Sequence, residues 1–287
     1  MAEKDITTWE EFKNALTENI TEATTYNIKN DLDASNDILI ESINCISPNS
    51  KDKIFKGNGY KINGITAYGN FVIFKTNQDL DCHYRFYDIK FTNFMAESAV
   101  FSNLCRSTYN AYGAEQLALF INCFFNGVCR VFTSSVTTVR VSYFYKCSIN
   151  VRCANFASTR CSFDSCYIIT TPLQNTNNLD SECTLINSYI EGIVKNTFSS
   201  SSYLTSQFNN NNVFNCKVII TNYSDSTTYR VQPSNAPVLI NKDRLLQSDG
   251  VTPIKNIASA TNVYFLTDEQ MKNKDYIQQN TTFPLYG

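Results

Sequence analysis

Phe120-Ile121-Asn122-Cys123-Phe124-Phe125, Phe144-Tyr145-Lys146-Cys147-Ser148-Ile149 and Phe163-Asp164-Ser165-Cys166-Tyr167-Ile168 are three versions of one six-residue phrase. Each reads apolar, any, small or polar, Cys, any, apolar. Looser copies, with Ile, Ser or Cys in the fourth place, start at Ile40, Ile62, Phe86, Leu185 and Val213, and their fourth residues are Ile43, Ile65, Ile89, Ser188 and Cys216. The eight starts are 22, 24, 34, 24, 19, 22 and 28 residues apart. Side chains alternate across a strand, so the fourth and sixth places share a face and are expected to point inward. The third place holds Ser42, Gly64, Asp88, Asn122, Lys146, Ser165, Asn187 and Asn215. Most of these residues tolerate the left-handed region, so a bend is expected there, with Lys146 the odd member. That bend also lets the first apolar residue face inward. A period near 22 with a ladder-like fourth place predicts short strands stacked coil on coil. It is too short for a propeller blade or a helical-pair solenoid, and the Leu and Asn framework of leucine-rich repeats is missing.

Working outward, Thr8-Trp9-Glu10-Glu11 is a Thr-x-x-Glu capping box, followed by Trp9, Phe12, Leu16 and Ile20 at helical spacing. A short amphipathic helix over 8–20 is expected, with Trp9 and Phe12 plugging the first coil, whose apolar cross-section and strand edges need covering. Tyr26 to Asp33 alternates as a half-buried strand does. Past residue 224 the phrase fails: Gln232-Pro233-Ser234-Asn235-Ala236-Pro237 reads as a turn, and a second helix is expected from Thr267 through Ile277. The organisation expected is therefore an N-terminal capping helix (1–25), a stacked region (26–223) and a C-terminal docking or capping segment (224–287).

Bulk composition agrees with a large β-rich core. Of 287 residues, 43% are hydrophobic and 17% charged, with 20 Phe and 17 Tyr, which argues against wholesale disorder. A formal net charge of −2 excludes a uniformly basic nucleic-acid-binding surface. No apolar run reaches the 18 residues of a membrane span. Met1-Ala2-Glu3-Lys4-Asp5-Ile6 lacks the pattern of a secretory signal, so synthesis in the cytoplasm is expected. The 11 cysteines form no Cys-x-x-Cys pair and His83 is the single histidine, so reduced, buried thiols are expected, with no metal and no cofactor. Cys123 and Cys129, then Cys147 and Cys153, keep the same separation one coil apart, as stacked core positions would.

From 38 to 222 the residues resemble the right-handed parallel β-helix (pectin-lyase-like) superfamily, whose coils have this length and often carry Asn at the bend. Gly57-Asn58-Gly59-Tyr60-Lys61-Ile62-Asn63-Gly64-Ile65 looks like an early coil and the 8–20 helix like the N-terminal cap of such proteins. The resemblance implies an all-β fold, a single-stranded right-handed parallel β-helix with an N-terminal capping helix and a short C-terminal module. Enzymes on that fold cleave polysaccharides, by paired carboxylates or by an Arg or Lys base with calcium. Between 98 and 179 the only acids are Glu115 and Asp164, against Arg106, Arg130, Arg140, Lys146, Arg152 and Arg160. Hydrolysis needs two carboxyls close together, so the middle coils are poor in catalytic acids. Asp79, Asp81 and Asp88, beside His83 and Arg85, form the alternative acidic site, with a solvated loop as its plain reading. Arg130, Arg140, Arg152 and Arg160 could form a row facing an acidic glycan or a neighbouring subunit, with ordinary surface arginines as the plain reading.

The function expected is a structural or binding component of an extracellular assembly: a phage virion protein of tail, baseplate or capsid surface that contacts host glycans. Its partners would be other virion proteins or itself, and host-surface polysaccharide. Homotrimers are implied by the resemblance to phage proteins alone. Two alternatives are carried: a polysaccharide depolymerase, lyase or glycoside hydrolase, with a site between coils or subunits, and a bacterial surface adhesin.

Overall fold

The six-residue phrase forms the end of one strand, a corner, and the start of the next strand. Phe86, Phe120, Phe144, Phe163 and Leu185 end strands of one sheet, and the third-place residues Asp88, Asn122, Lys146, Ser165 and Asn187 all sit at positive φ, between 47° and 55°. Lys146, the unlikely member by composition, bends like its neighbours. The sixth-place residues then start strands of a second sheet. The computed structural model describes residues 1–45, 51–70, 72–75, 84–102, 118–134, 143–157, 162–173, 184–196, 203–204, 212–220, 223–231 and 234–280.

Among these residues the fold is all-β apart from three short helices and one 3-10 turn, and every strand-to-strand ladder is parallel. One sheet has eight strands, a second fifteen and a third three. From Tyr84 to Asn196 consecutive strands alternate between the two large sheets and each pairs with the strand about one coil later, so the chain advances by one strand spacing, about 4.8 Å, per coil. This is the stacking expected of a parallel β-helix.

Two inward columns hold the core. Tyr26, Phe55, Phe86, Phe120, Phe144 and Phe163 stack ring on ring at 4.9, 5.0, 4.8, 4.9 and 5.0 Å, with interplanar angles of 8° to 15°. The rings repeat at the strand spacing because the backbone ladder fixes it. On the facing sheet Leu32, Ile62, Phe91, Phe125, Ile149, Ile168, Ile190, Phe214 and Ile240 form one column.

The fourth place is the corner, and its chemistry explains the cysteines. Cys123, Cys147 and Cys166 each donate a thiol hydrogen bond to the carbonyl of the first-place residue one coil back, at 3.5, 3.4 and 3.3 Å. Ser188 does the same with its hydroxyl at 3.3 Å, and Asn212 with its amide at 2.9 Å. The bend residues keep their backbone bonds to the next coil, and the small donor side chain at the corner adds a bond to the buried carbonyl of the coil before it, so that a polar group inside the corner is partnered. Ser188 and Asn212 also accept from the backbone N–H of the preceding corner residue, at 3.1 and 2.8 Å. Among the described residues seven cysteines are buried. Burial pushes the Cys147 thiol well up, which keeps it protonated. Cys129 and Cys153 face each other on neighbouring strands, and the hydrogen bond between them raises the Cys129 thiol further than burial alone would.

Three of the eight expected copies are out of register. Ile40 is 82% exposed, and Ile43 pairs with Phe74 on a different face. Ile62 pairs with Phe91 and so holds the sixth place, because Gly57-Asn58-Gly59-Tyr60 lengthens that corner and Phe55 holds the first. Val213 pairs with Tyr189, which gives the corner to Asn212 and not to Cys216. The alternation from Tyr26 to Asp33 is two strands, Thr24–Ile28 and Leu32–Asp33, on different sheets.

The N-terminal helix is α1, Trp9–Thr17, with both halves of the Thr8–Glu11 capping box formed. It is preceded by a strand, Ala2–Ile6, that pairs with Thr24–Ile28. Trp9, Phe12 and Leu16 are buried, and Phe12 meets Phe55 edge-on at 5.3 Å. Lys53 is wholly buried and donates from its ammonium to the carbonyls of Ala15, Leu16 and Glu18 at 2.9, 3.0 and 2.6 Å. Those carbonyls end α1 and lack helical partners, so the cation both caps the helix and complements its dipole.

At the other end the sheet continues past residue 223: Val238–Asn241 pairs with Val213–Ile220, and Val263–Leu266 pairs with Val238–Asn241. The helix expected from Thr267 through Ile277 is split into α2, Asp268–Lys272, and α3, Lys274–Asn280. Asn273 is extended between them and its side chain accepts from the backbone N–H of Tyr276. Among the described residues no helix is long and apolar enough to cross a membrane.

Candidate binding face on the fifteen-stranded sheet

The corner fixes which residues look outward. On the strands after it the fifth place points away from the core, giving an outward row of Lys61, Lys90, Phe124, Ser148, Tyr167 and Tyr189. Two residues on, a second row holds Asn63, Thr92, Asn126, Asn150, Ile169 and Glu191. Further along, a third row holds Thr66, Met95, Val128, Arg152 and Thr171. Asn, Thr, Lys and Arg dominate these rows, as the wet side of a sheet requires.

Two open grooves run between them. The first, of about 510 Å³, lies between the corner residues Asn58, Asp88, Asn122 and Lys146 and the row of Lys90, Phe124, Ser148 and Tyr167. The second, of about 540 Å³, is bordered by Asn93, Asn126, Asn150, Met95, Arg152 and Thr171. The first groove contains two ammonium groups and one carboxylate. Asp88 accepts from the side chain of Asn122, and the Lys146 ammonium lies 5.0 Å from the Tyr145 ring centre. Phe124 and Tyr167 are half-buried, so each shows part of a ring to the groove. Tyr167 stacks on Tyr189 at 4.7 Å, and burial followed by the nearby Glu191 charge raises its phenol, which therefore stays a neutral donor.

A third recess of about 320 Å³ lies further up the same sheet, among Thr171, Glu191, Lys217, Asp243 and Arg244. Arg244 bridges Glu191 at 3.5 Å and Asp268 at 3.0 Å. Tyr189 donates to Glu191 at 2.8 Å and accepts from Asn215 at 2.9 Å. The Asn241 amide, the Arg244 guanidinium and its charge together hold the Asp268 carboxyl below its usual range.

The residues singled out from sequence are distributed unevenly. Arg152 borders the second groove. Arg130 is exposed on the neighbouring strand, two positions past Val128, the residue that pairs with Arg152; the two arginines are diagonal neighbours and not one vertical row. Asp88 is exposed at the corner and borders the first groove. Arg140, Arg160, Asp79, Asp81 and His83 lie outside the described residues. Sequence reasoning missed Lys90, Lys146, Tyr167 and the Asn126–Asn150 pair. The signal was present: the fifth place of the phrase is the outward row, and it was read as "any".

Chemically the face offers amides, hydroxyls, cations and partial ring faces repeated at the coil spacing. Such a row can hold an elongated, hydroxyl-rich chain by hydrogen bonds, by charge where that chain is acidic, and by apolar contact with the rings. The first groove is bordered by a single carboxylate, whereas glycoside hydrolysis uses a pair.

Comparison with known proteins agrees with this architecture. No curated protein and no solved structure matches the chain. Residues 3–126 match the family model described as "Putative pectate lyase-like adhesive domain". Over this stretch, from the strand before α1 to the groove residue Asn126, the chain is similar to a pectin-lyase-like adhesive domain.

Proposed function

We propose that this protein is a surface adhesive module that holds glycans along the outward face of its fifteen-stranded sheet, on a single-stranded right-handed parallel β-helix. The observation that carries the reading is the register of that face. Lys90, Phe124, Ser148 and Tyr167, beside Asn126, Asn150 and Arg152, repeat at one spacing over several coils and border two adjoining grooves. The cations Lys90, Lys146 and Arg152, with Arg130 beyond them, favour an acidic glycan, and the match to an adhesive-domain model supports binding over cleavage. Of the settings expected from sequence, a virion component and a surface adhesin, that match favours the second.

Binding to a panel of acidic and neutral surface polysaccharides tests the reading. Acidic polymers are expected to bind, more weakly as salt is raised, and the Lys90→Glu/Lys146→Glu variant is expected to lose about tenfold or more in affinity. Binding to none of the polymers would overturn the proposal. A second reading, a depolymerase, draws on Glu191, Asp243 and Arg244 in the third recess. It is favoured instead if incubation releases new reducing ends or unsaturated sugars and Glu191→Gln abolishes the release.

A further inference from the structure

The middle coils of the eight-stranded sheet, beyond the exposed Lys56 that pairs with Tyr87, depart from the usual polar exterior. On a half-solvated sheet alternate residues should be polar outside. Here Ile54, Tyr87, Leu119, Ile121, Tyr143 and Tyr145 all point outward and are half-buried, although each alternates with an inward core residue such as Phe55, Phe86, Phe120 or Phe144. Side chains stacked one strand spacing apart cover one another in part. A contiguous aromatic and aliphatic strip of this kind on an outer surface marks an interaction site.

Charge on the strip is arranged in a particular way. Arg85 lies on the strand one coil before Leu119 and Ile121, and Asp164 one coil after Tyr143 and Tyr145. Arg85 reaches Asp52 only at 3.7 Å, with both side chains partly exposed, and Asp164 accepts a hydrogen bond from Tyr143 at 3.0 Å. A two-fold axis along the strands, between Ala118–Ile121 and Tyr143–Tyr145, lays one copy on another with the stacks running in opposite directions. It sets Leu119 and Ile121 of one copy against Tyr143 and Tyr145 of the other, and the coil carrying Arg85 against the coil carrying Asp164. The apolar centre of the strip is self-complementary, as an isologous interface must be, and on the flanking coils Arg85 lies diagonal to Asp164 of the other copy, two positions apart along the strand, within reach of a long side chain.

We propose that this strip is where two copies of the chain associate, antiparallel, leaving the polar face of the fifteen-stranded sheet free. The strip spans five strands, about 19 Å, and is only a few residues wide, so the association is a weak one that responds to concentration. This inference does not depend on the glycan reading.

Sedimentation velocity of the full chain, from micromolar to millimolar concentration, tests it. A monomer–dimer equilibrium is expected. Leu119→Glu is expected to weaken it by about tenfold or more, since it buries a charge against the partner's aromatic rings. Arg85→Asp, which sets two carboxylates against each other, is expected to weaken it, and Arg85→Asp combined with Asp164→Arg to restore it. Circular dichroism on each variant establishes that the fold is kept. A monomer throughout the range, a trimer, or a dimer indifferent to Leu119→Glu would overturn the proposal, as would failure of the exchanged charges to restore association where each variant is folded.

Discussion

The two ends of the stack carry helices of similar composition that do different jobs. At the N-terminus α1 is part of the main core: Trp9, Phe12 and Leu16 join the same buried cluster as the phenyl column, and Lys53 ties the helix end to the second coil. Asp37 adds an outer tie, accepting from the Trp9 indole at 2.7 Å and pairing with Lys13. At the C-terminus Met271 of α2 and Ile277 of α3 belong to a separate cluster with Tyr189, Val213, Leu239 and Leu266, on the outward side of the last coils. Here the ties are polar and peripheral: Asp268 to Asn241 and Arg244, and the Asp268 backbone N–H to Asp243. The first helix closes the stack end and cannot leave without exposing the core. The last two lie across its side, and opening there is local.

That difference is best broken at Lys53. Lys53→Met keeps the volume and removes the cation, leaving the Ala15 and Glu18 carbonyls at the end of α1 short of a donor, while the Leu16 carbonyl keeps the Tyr84 hydroxyl. A loss of about 3 kcal/mol in global stability is expected, read as a lowered urea midpoint with an unchanged slope. If the loss is under about 1 kcal/mol, α1 is not integral to the core in the sense claimed.

Ile277→Ala sharpens the other side. It removes side-chain volume from a buried site in the satellite cluster and is expected to cost about 2 kcal/mol. Because that cost falls on a local unit, hydrogen exchange should speed up over 268–280 and leave the amides of the Phe120 and Phe144 strands unchanged. Uniform acceleration along the chain would mean that the C-terminal helices fold with the core.

The smallest effect is expected in the trunk between the ends. Cys147→Ser keeps a donor to the Phe120 carbonyl, as Ser188 does to Phe163 two coils along the same corner, and is expected to cost about 1 kcal/mol or less. Cys147→Ala removes the donor and should cost more than the serine variant in thermal melts. The opposite order would refute the account of the corner.

The register was legible where the corner kept one length and one chemistry, from Phe86 to Ser188, and illegible where either changed. Gly57-Asn58-Gly59-Tyr60 adds residues to an early corner and moved Ile62 from first place to sixth. Asn212 does with an amide what Cys166 does with a thiol, so the corner there lacks the small side chain of the phrase, which Cys216 four residues on supplies at another position. The plug could be read because a capping box and helical spacing are local. The binding face was legible only in fragments: Arg152 and Asp88 were singled out, but Lys90, Lys146 and Tyr167 were not.

The sequence by itself determined the coil period, the bend, the thiol corner and the N-terminal helix, since each leaves an imprint within a few residues or on the side that must be buried. The tertiary structure alone decided the outward rows. Those side chains meet neighbours about 20 to 30 residues away through the backbone ladder, and burial places no demand on their identity. One outer face is therefore mixed, with amides and cations set beside rings, and the other has an apolar strip in its middle coils, a contrast that appears only when the strands are laid side by side.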